Sequence, residues 1–461
     1  MDNPKQELCR DLTRKELRES AASVLAENHE DGFTKPAPHL YPHQWSWDSA
    51  FISIGLSYLD LEKALAELVT LFKGQWADGR VPHILFNPNS GDYFPGPEYW
   101  NCKGVSQMPP VAPLTSGLIQ PPVHGLAAHN VWRVASMEGS AEQFREPLNS
   151  LFDKLLSWHR YLSTSRDPEG IGLISVYHPW ESGLDNSPRW DSVLAGIETG
   201  TMPEFQRRDT KHVKDSAERP TDEEYRKYMW LVELLKRDAY DDIQIHRSYP
   251  FVVKDVLMSA IFNLSNHALI KLGRALGREQ SELDFLSALA DRSRSGVLEK
   301  CLEPDSAMVY DLDMRRAGEK IKVSTCANLA GILLGDLDSG LKSVMRDLAF
   351  SKQFCGHGSL RFPVVPSTTP DTVGFKARSY WRGPSWPVLN WLFSYALAYQ
   401  GFMEDSEALK KANLAMLSQE QAQFGEYFSL ETGEPLGSLK QSWTAAVTID
   451  WLSDRSLLRS F

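Results

Sequence analysis

Cysteine, cations and long apolar runs are what this chain has least of. Its five cysteines, at positions 9, 102, 301, 326 and 355, are scattered, odd in number and form no C-x-x-C pair. That excludes a disulfide framework or a cysteine-built zinc site and fits buried thiols in a reduced compartment. Lys and Arg number 49 against 60 Asp and Glu, a net charge of −11 with a pI near 5.6. This balance excludes nucleic acid and anionic membrane as partners. No apolar run approaches the roughly 18 residues of a membrane span. The charged opening Met1–Glu7 carries no apolar segment of a secretory signal, so a cytoplasmic protein is expected. Metal-ligand spacing is scarce too. His39 and His43 form the sole H-x-x-x-H, and Pro42 breaks the helix that would align them, so no metal and no cofactor is expected. Period-two patterns are few, Ile321–Ser324 and Gly358–Val364 being the best strand candidates, which excludes a doubly wound sheet or a (β/α) barrel.

What is abundant is tryptophan, 14 residues in a chain that is 42% hydrophobic, ample for a large core. Helical periodicity runs through Arg14–Asn28, Asp60–Lys73, Val123–Met137, Phe144–Leu162, Val256–Leu276, Leu283–Cys301, Cys326–Leu337, Pro387–Tyr399, Glu407–Leu417 and Trp443–Leu452. Shorter candidates at Asp48–Leu56, Thr221–Arg237 and Leu341–Phe350 complete an all-α pattern of about a dozen helices. The length allows two or three average domains or one large helical unit. No low-complexity linker divides the chain, and a single domain over 1–461 is expected. The most polar stretch, Glu204–Arg226, interrupts the helical rhythm, either as a solvated insertion or as a mobile cap over a pocket. The sequon at Asn263 lies in the apolar helical stretch Leu257–Leu272 and should be inert.

Chemistry concentrates in His178–Asp191, where three carboxylates, two indoles, a guanidinium, an amide and an imidazole share 14 residues. Gly183 and two prolines forbid a regular helix or central strand there. Indole faces beside carboxylates and Arg suit a sugar, and a carboxylic acid against indoles is held protonated more easily, as a general acid requires. The alternative is a structural loop anchored by Trp180 and Trp190, its acids capping neighbouring helices. Four further segments share this character. Tyr41–Asp48 sets Trp45 and Trp47 on one side and Asp48 near a helix start, where it could be a plain N-cap. Phe86–Pro97 reads as a pocket rim, and Tyr380–Pro387 leads into a helix. In Phe424–Glu434, Glu426 is flanked by aromatics, whereas Glu431 and Glu434 bracket a Thr-Gly turn and look solvated, so Glu426 is the better second carboxylate. His43 and His178 suit satisfied core positions better than ligand roles.

Taken in order, His178–Asp191, Tyr380–Pro387, Glu426-Tyr427-Phe428 with Thr432–Gly437, and Ser442–Ala446 resemble glycoside hydrolase family 63 and, more distantly, the trehalases of the same clan. Within that family the similarity is to the mannosylglycerate/glucosylglycerate hydrolases, which share the His43–Asp48 opening, the Asp92–Pro97 loop and the insertion motif Arg219–Tyr225. It spans about Tyr41 to Trp451. The resemblance implies an (α/α)6 barrel with a charged insertion, about 193–246, capping the active site. It implies inverting cleavage of an α-linked glycosylglycerate to hexose and glycerate, with Asp185 as general acid and Glu426 as general base. Such a pair stands roughly 6.5–9.5 Å apart. It also implies that Trp45, Trp47, Asp48, Trp180, Arg189 and Trp386 line the hexose subsite and that Tyr93, Gln120, Arg219, Tyr225, Tyr380 and Trp381 face the glycerate. Tyr41, Gln441 and Trp443 join them as substrate contacts. The expected partner is a small anionic glycoside, whose carboxylate needs a cation such as Arg219; a homo-oligomer is possible. A trehalase-like or other α-glucosidase, a sugar epimerase and a non-catalytic sugar-binding protein stand as alternatives.

Overall fold

The computed structural model describes residues 11–91, 93–209, 218–419 and 423–460, so Cys9, Asp92 and part of the charged insertion lie outside the described residues. The chain is mostly helical. Ser46–Leu56, His124–Met137, Val256–Leu276, the 3₁₀ helix Cys326–Leu333, Pro387–Tyr399 and Ser442–Leu452 each pack on the next, and the last returns to the first. A second layer lies outside. Leu61–Leu71 and Ala141–Thr164 cover the joints beside His124–Met137, Gln280–Gly296 covers Val256–Leu276, and Ser339–Ala349 covers Cys326–Leu333. Met403–Leu417 covers Pro387–Tyr399, and Arg14–Asn28 covers Ser442–Leu452.

Composition explains which helix goes where. Every residue of Ser46–Leu56 and Ser442–Leu452 is buried, as a helix surrounded by others requires. Two of the outer helices start on polar caps: Thr13 and Glu16 form a capping box before Arg14–Asn28, and the Asp60 side chain accepts from Lys63 N at the start of Leu61–Leu71. Among the described residues no helix is long and apolar enough to cross a membrane. Asn263 is buried, with its amide donating to Ala290 O at 2.6 Å, so the sequon sits inside helix packing.

Both strand expectations fail. Pairing in the four-stranded antiparallel sheet of Ser175–Val176, Val253–Lys254, Leu312–Asp313 and Glu319–Lys320 ends just before Ile321–Ser324. Gly358–Val364 is turn and coil, its alternation arising because Leu360 and Phe362 pack on a small cluster with Leu430. Leu283–Cys301 is also not one helix: an α-helix ends at Gly296 and a π turn spans Val297–Cys301.

At the end of the central ring where its helices finish, Asp450 is fully buried and collects four donors. They are Tyr58 Oη, Trp391 Nε1 at 2.7 Å, Ser456 Oγ at 3.0 Å and Leu457 N at 2.8 Å. One carboxylate thereby joins three helical segments and the C-terminal turn. Asp450→Ala would strand the Trp391, Ser456 and Leu457 donors, a loss on the order of 3–5 kcal/mol. The urea midpoint should fall accordingly while the folded fraction binds small ligands at the opposite end as before; an unchanged midpoint would remove this carboxylate from any role in holding the ring.

Candidate active site

The residues lining the main cavity come largely from segments that lead into the central helices. Trp45, Trp47 and Asp48 open Ser46–Leu56, Gln120 precedes His124–Met137, Tyr380 precedes Pro387–Tyr399, and Gln441 and Trp443 open Ser442–Leu452. Helix N-termini carry partial positive charge, favourable to acidic groups. The cavity holds about 1070 Å³ of empty space, part of it open to solvent.

Of the three acids in His178–Asp191, only Asp185 lines this cavity. Glu181 is spent on Arg166, whose Nη1 and Nη2 each donate at 2.8 Å, and on the N–H groups of Tyr177 and Ile119. Asp191 is paired with Arg382 Nη1 at 3.0 Å. The 3₁₀ turn Pro179–Ser182 ends on Gly183 at φ +73°, where a Cβ would lie 2.6 Å from the Trp47 ring, so glycine lets the acid's loop rest on that indole. Tyr228 Oη donates to Asp185 O at 3.0 Å and Trp190 Nε1 to Leu184 O at 2.9 Å, fixing the backbone on both sides. Burial pushes the Asp185 carboxyl up to about 7, with Arg219 opposing and Glu426 adding to the shift.

Glu426 also lines this cavity, ahead of the short strand Tyr427–Phe428, which pairs with Pro435–Leu436 and exchanges hydrogen bonds with Ser385. Its Oε1 accepts from Tyr41 Oη at 2.8 Å and Tyr380 Oη at 3.3 Å; its Oε2 accepts from Ser438 N at 3.0 Å and Arg219 Nη2 at 3.2 Å. Gly437, at φ +68°, is required by this grip, since a Cβ there would sit 2.5 Å from Oε2. Asp48 is a third cavity carboxyl, buried and held well above its ordinary range by that burial and by Glu426. Its position in the first helical turn therefore goes with a place on the cavity wall, beyond simple capping.

Tyr93, Trp180 and Tyr225 also line the cavity, and the Phe86–Pro97 coil does form rim, through Tyr93, Phe94 and Pro95. Three expected residues do not reach it. Arg189 is buried behind the loop, its Nη1 on Asp311 at 2.7 Å and its guanidinium over Trp190, because two buried aspartates claim it. Trp381 and Trp386 stack on each other at 3.6 Å, a layer behind the lining, with Trp386 also stacked on Tyr427. Trp381 N donates to Asn186 at 3.0 Å, so the pair braces both catalytic candidates' loops. His43 and His178 are buried; His178 donates to Tyr228 O and accepts from Trp180 N, and burial lowers it to about 3. Sequence reasoning missed His83, Trp100, Arg208 and Asp209 on the wall. His83 and Trp100 stand outside any motif, while Arg208 and Asp209 fall inside the charged insertion. Among the described residues no group of three His, Cys, Asp or Glu is placed to hold a metal ion.

The raised Asp185 carboxyl is measurable. Infrared difference spectra between the wild type and Asp185→Asn should contain a protonated-carboxyl band that fades as pH rises through about 7. A band already absent at pH 5 would show that Asp185 is an ordinary solvated acid.

A family model described as the mannosylglycerate hydrolase MGH1-like glycoside hydrolase domain matches residues 41–444. The chain is 41% identical to the glucosylglycerate hydrolase of Mycolicibacterium hassiacum over 96% of its own length and 98% of that protein's. It is 37% identical to the mannosylglycerate hydrolase of Thermus thermophilus, over 94% and 99% respectively. A crystal structure of a family 63 mannosylglycerate hydrolase from Thermus thermophilus, in complex with Tris and D-glycerate, superposes with a TM-score of 0.86 at 36% identity, covering 95% of this chain and all of that one. By these matches the chain belongs to the mannosylglycerate hydrolase MGH1-like glycoside hydrolases.

Proposed function

We propose that the protein hydrolyses an α-linked hexosylglycerate, with inversion, inside an (α/α)6 barrel capped by the insertion of about 193–246. The closed ring of six helices within a second helical layer supports the barrel. Arg208, Asp209, Arg219, Pro220 and Tyr225, all on the cavity wall, support the cap. The four buried, unbridged cysteines among the described residues suit a reducing cytoplasm.

The observation that carries the chemistry is the unequal treatment of two acids in one cavity. Asp185, raised to about 7 by burial, retains a proton to give. Glu426 is fixed by four donors and oriented into the same space. In the reaction Glu426 takes a proton from a water whose oxygen bonds to the anomeric carbon. The glycosidic bond breaks on the opposite face, and its oxygen leaves with the Asp185 proton. Trp45, Trp47, Asp48, Gln441 and Trp443 suit the hexose, the buried Trp443 Nε1 still lacking an acceptor among the described residues. Tyr93, Gln120 and Tyr225, with Arg219, suit the glycerate. The names of the relatives support that substrate class, and a cation in an acidic protein supports an anionic aglycone over trehalose.

Purified protein should release hexose from α-glucosylglycerate or α-mannosylglycerate, and NMR of the first product should show the β-anomer. Asp185→Asn and Glu426→Gln should each abolish nearly all turnover while binding stays measurable by calorimetry. Initial α-anomer would sink the inverting assignment, and a strong preference for trehalose would sink the substrate.

The rate should depend on pH with a definite sign. The acid must hold its proton, so kcat/KM should fall as pH rises through about 7. A profile still flat at pH 9 would mean that Asp185 is not the group donating the proton.

A further inference from the structure

We infer that Arg219 is an exchangeable partner of Glu426: it occupies the base while the cavity is empty, and the carboxylate of the substrate draws it away. The inference rests on the anionic-glycoside reading above and adds a step to it.

A carboxylate offers about four lone-pair sites. Tyr41, Tyr380, Ser438 and Arg219 fill them on Glu426, so a water brought beneath a sugar has no site left to receive its proton. One donor must leave before the base can act. Ser438 N cannot, because Glu426 N donates back to Ser438 O at 2.8 Å and the Gly437 turn holds the two together. The tyrosines are wedged among rings, Tyr380 at 5.0 Å from Trp386 and Tyr41 at 5.2 Å from Trp45.

Arg219 is held differently. It comes from the segment between two central helices, and its other ties among the described residues are Tyr41 Oη at 3.0 Å, the Tyr41 ring at 5.9 Å and the face of the Tyr380 ring at 4.6 Å. Its Nε is buried and has no acceptor among the described residues. A guanidinium takes a carboxylate side-on through Nε together with Nη2, as two parallel hydrogen bonds. A substrate carboxylate that satisfies the orphan Nε would compete for the same Nη2 that now holds Glu426. Binding of the correct aglycone thus frees one lone pair on Oε2. A substrate without that charge fills the hexose subsite and leaves the base occupied. Selectivity for the anion then appears in kcat as well as in KM.

The test compares α-glucosylglycerate with uncharged α-glucosylglycerol on the wild type and on Arg219→Gln, and measures α-glucosyl fluoride hydrolysis by the wild type with and without D-glycerate. The wild-type kcat should be about tenfold or more lower on the uncharged glycoside, the scale of a lost charge pair. Arg219→Gln should lower kcat/KM for the anion yet raise kcat for glucosylglycerol, opposite signs that a merely structural role would not give. D-Glycerate should accelerate hydrolysis of the fluoride, a readout that needs no variant. Inhibition or no effect by D-glycerate, or parallel losses on both glycosides, would overturn the exchange. Failure of the wild type to hydrolyse any hexosylglycerate would instead overturn the functional reading beneath it.

Discussion

Four carboxyl groups, those of Asp48, Asp185, Asp209 and Glu426, face one cavity whose walls are rich in aromatics, and like charges so confined raise one another's cost of ionising. The protein resolves the crowding by treating them unequally. Asp185 has no side-chain donor among the described residues and stays partly open to the cavity, whereas Glu426 is closed in by four. Asp48 lies between, at the start of a helix. Arg219 is a cation set among them, pairing with Glu426 and acting on Asp185. Two acids with different surroundings in one cavity are what general acid and base work needs, so the proposed chemistry rests on how each acid is mounted.

The mounting is itself electrostatic. Arg166 links Glu181 to Asp242, and Arg80 bridges Asp242 to Gly117 O and Tyr240 O. All of these side chains are buried. Buried ion pairs of this kind add little net stability, because desolvation offsets attraction, but they restrict the arrangements open to a loop. Here the restriction matters: the acid's loop, the Gln120 segment and the end of the insertion are tied to one network. The Trp381–Trp386 stack performs a matching task, holding Asn186 on one side and Tyr427 on the other.

Much of this was legible in the sequence where the signal is local. Arg14–Asn28, Val256–Leu276 and Pro387–Tyr399 fold over the bounds that periodicity gives, because capping residues and apolar spacing act within a few residues. The place of Asp185 and Glu426 on the cavity wall was legible as well, the first from a loop with no packing reason to be so acidic and aromatic, the second from its aromatic neighbours. Arg189, Trp381 and Trp386 carry the right chemistry and stand beside residues that do line the cavity. Their direction depends on Asp311, Asp255 and Tyr427, which no local pattern connects to them.

The sequence by itself determined where helices run, where the chain must turn through left-handed glycines such as Gly183 and Gly437, and which fragments bear chemistry. Each of these is settled by residues within a turn or two of one another. Only the tertiary structure decided which of those side chains meet. Arg219 and Glu426, 207 residues apart, form an ion pair that no periodicity encodes, and the same holds for Tyr41 and Glu426, 385 residues apart. Closing the helical ring brings such distant segments to one end, and the direction of each side chain there is set by partners supplied from elsewhere in the chain.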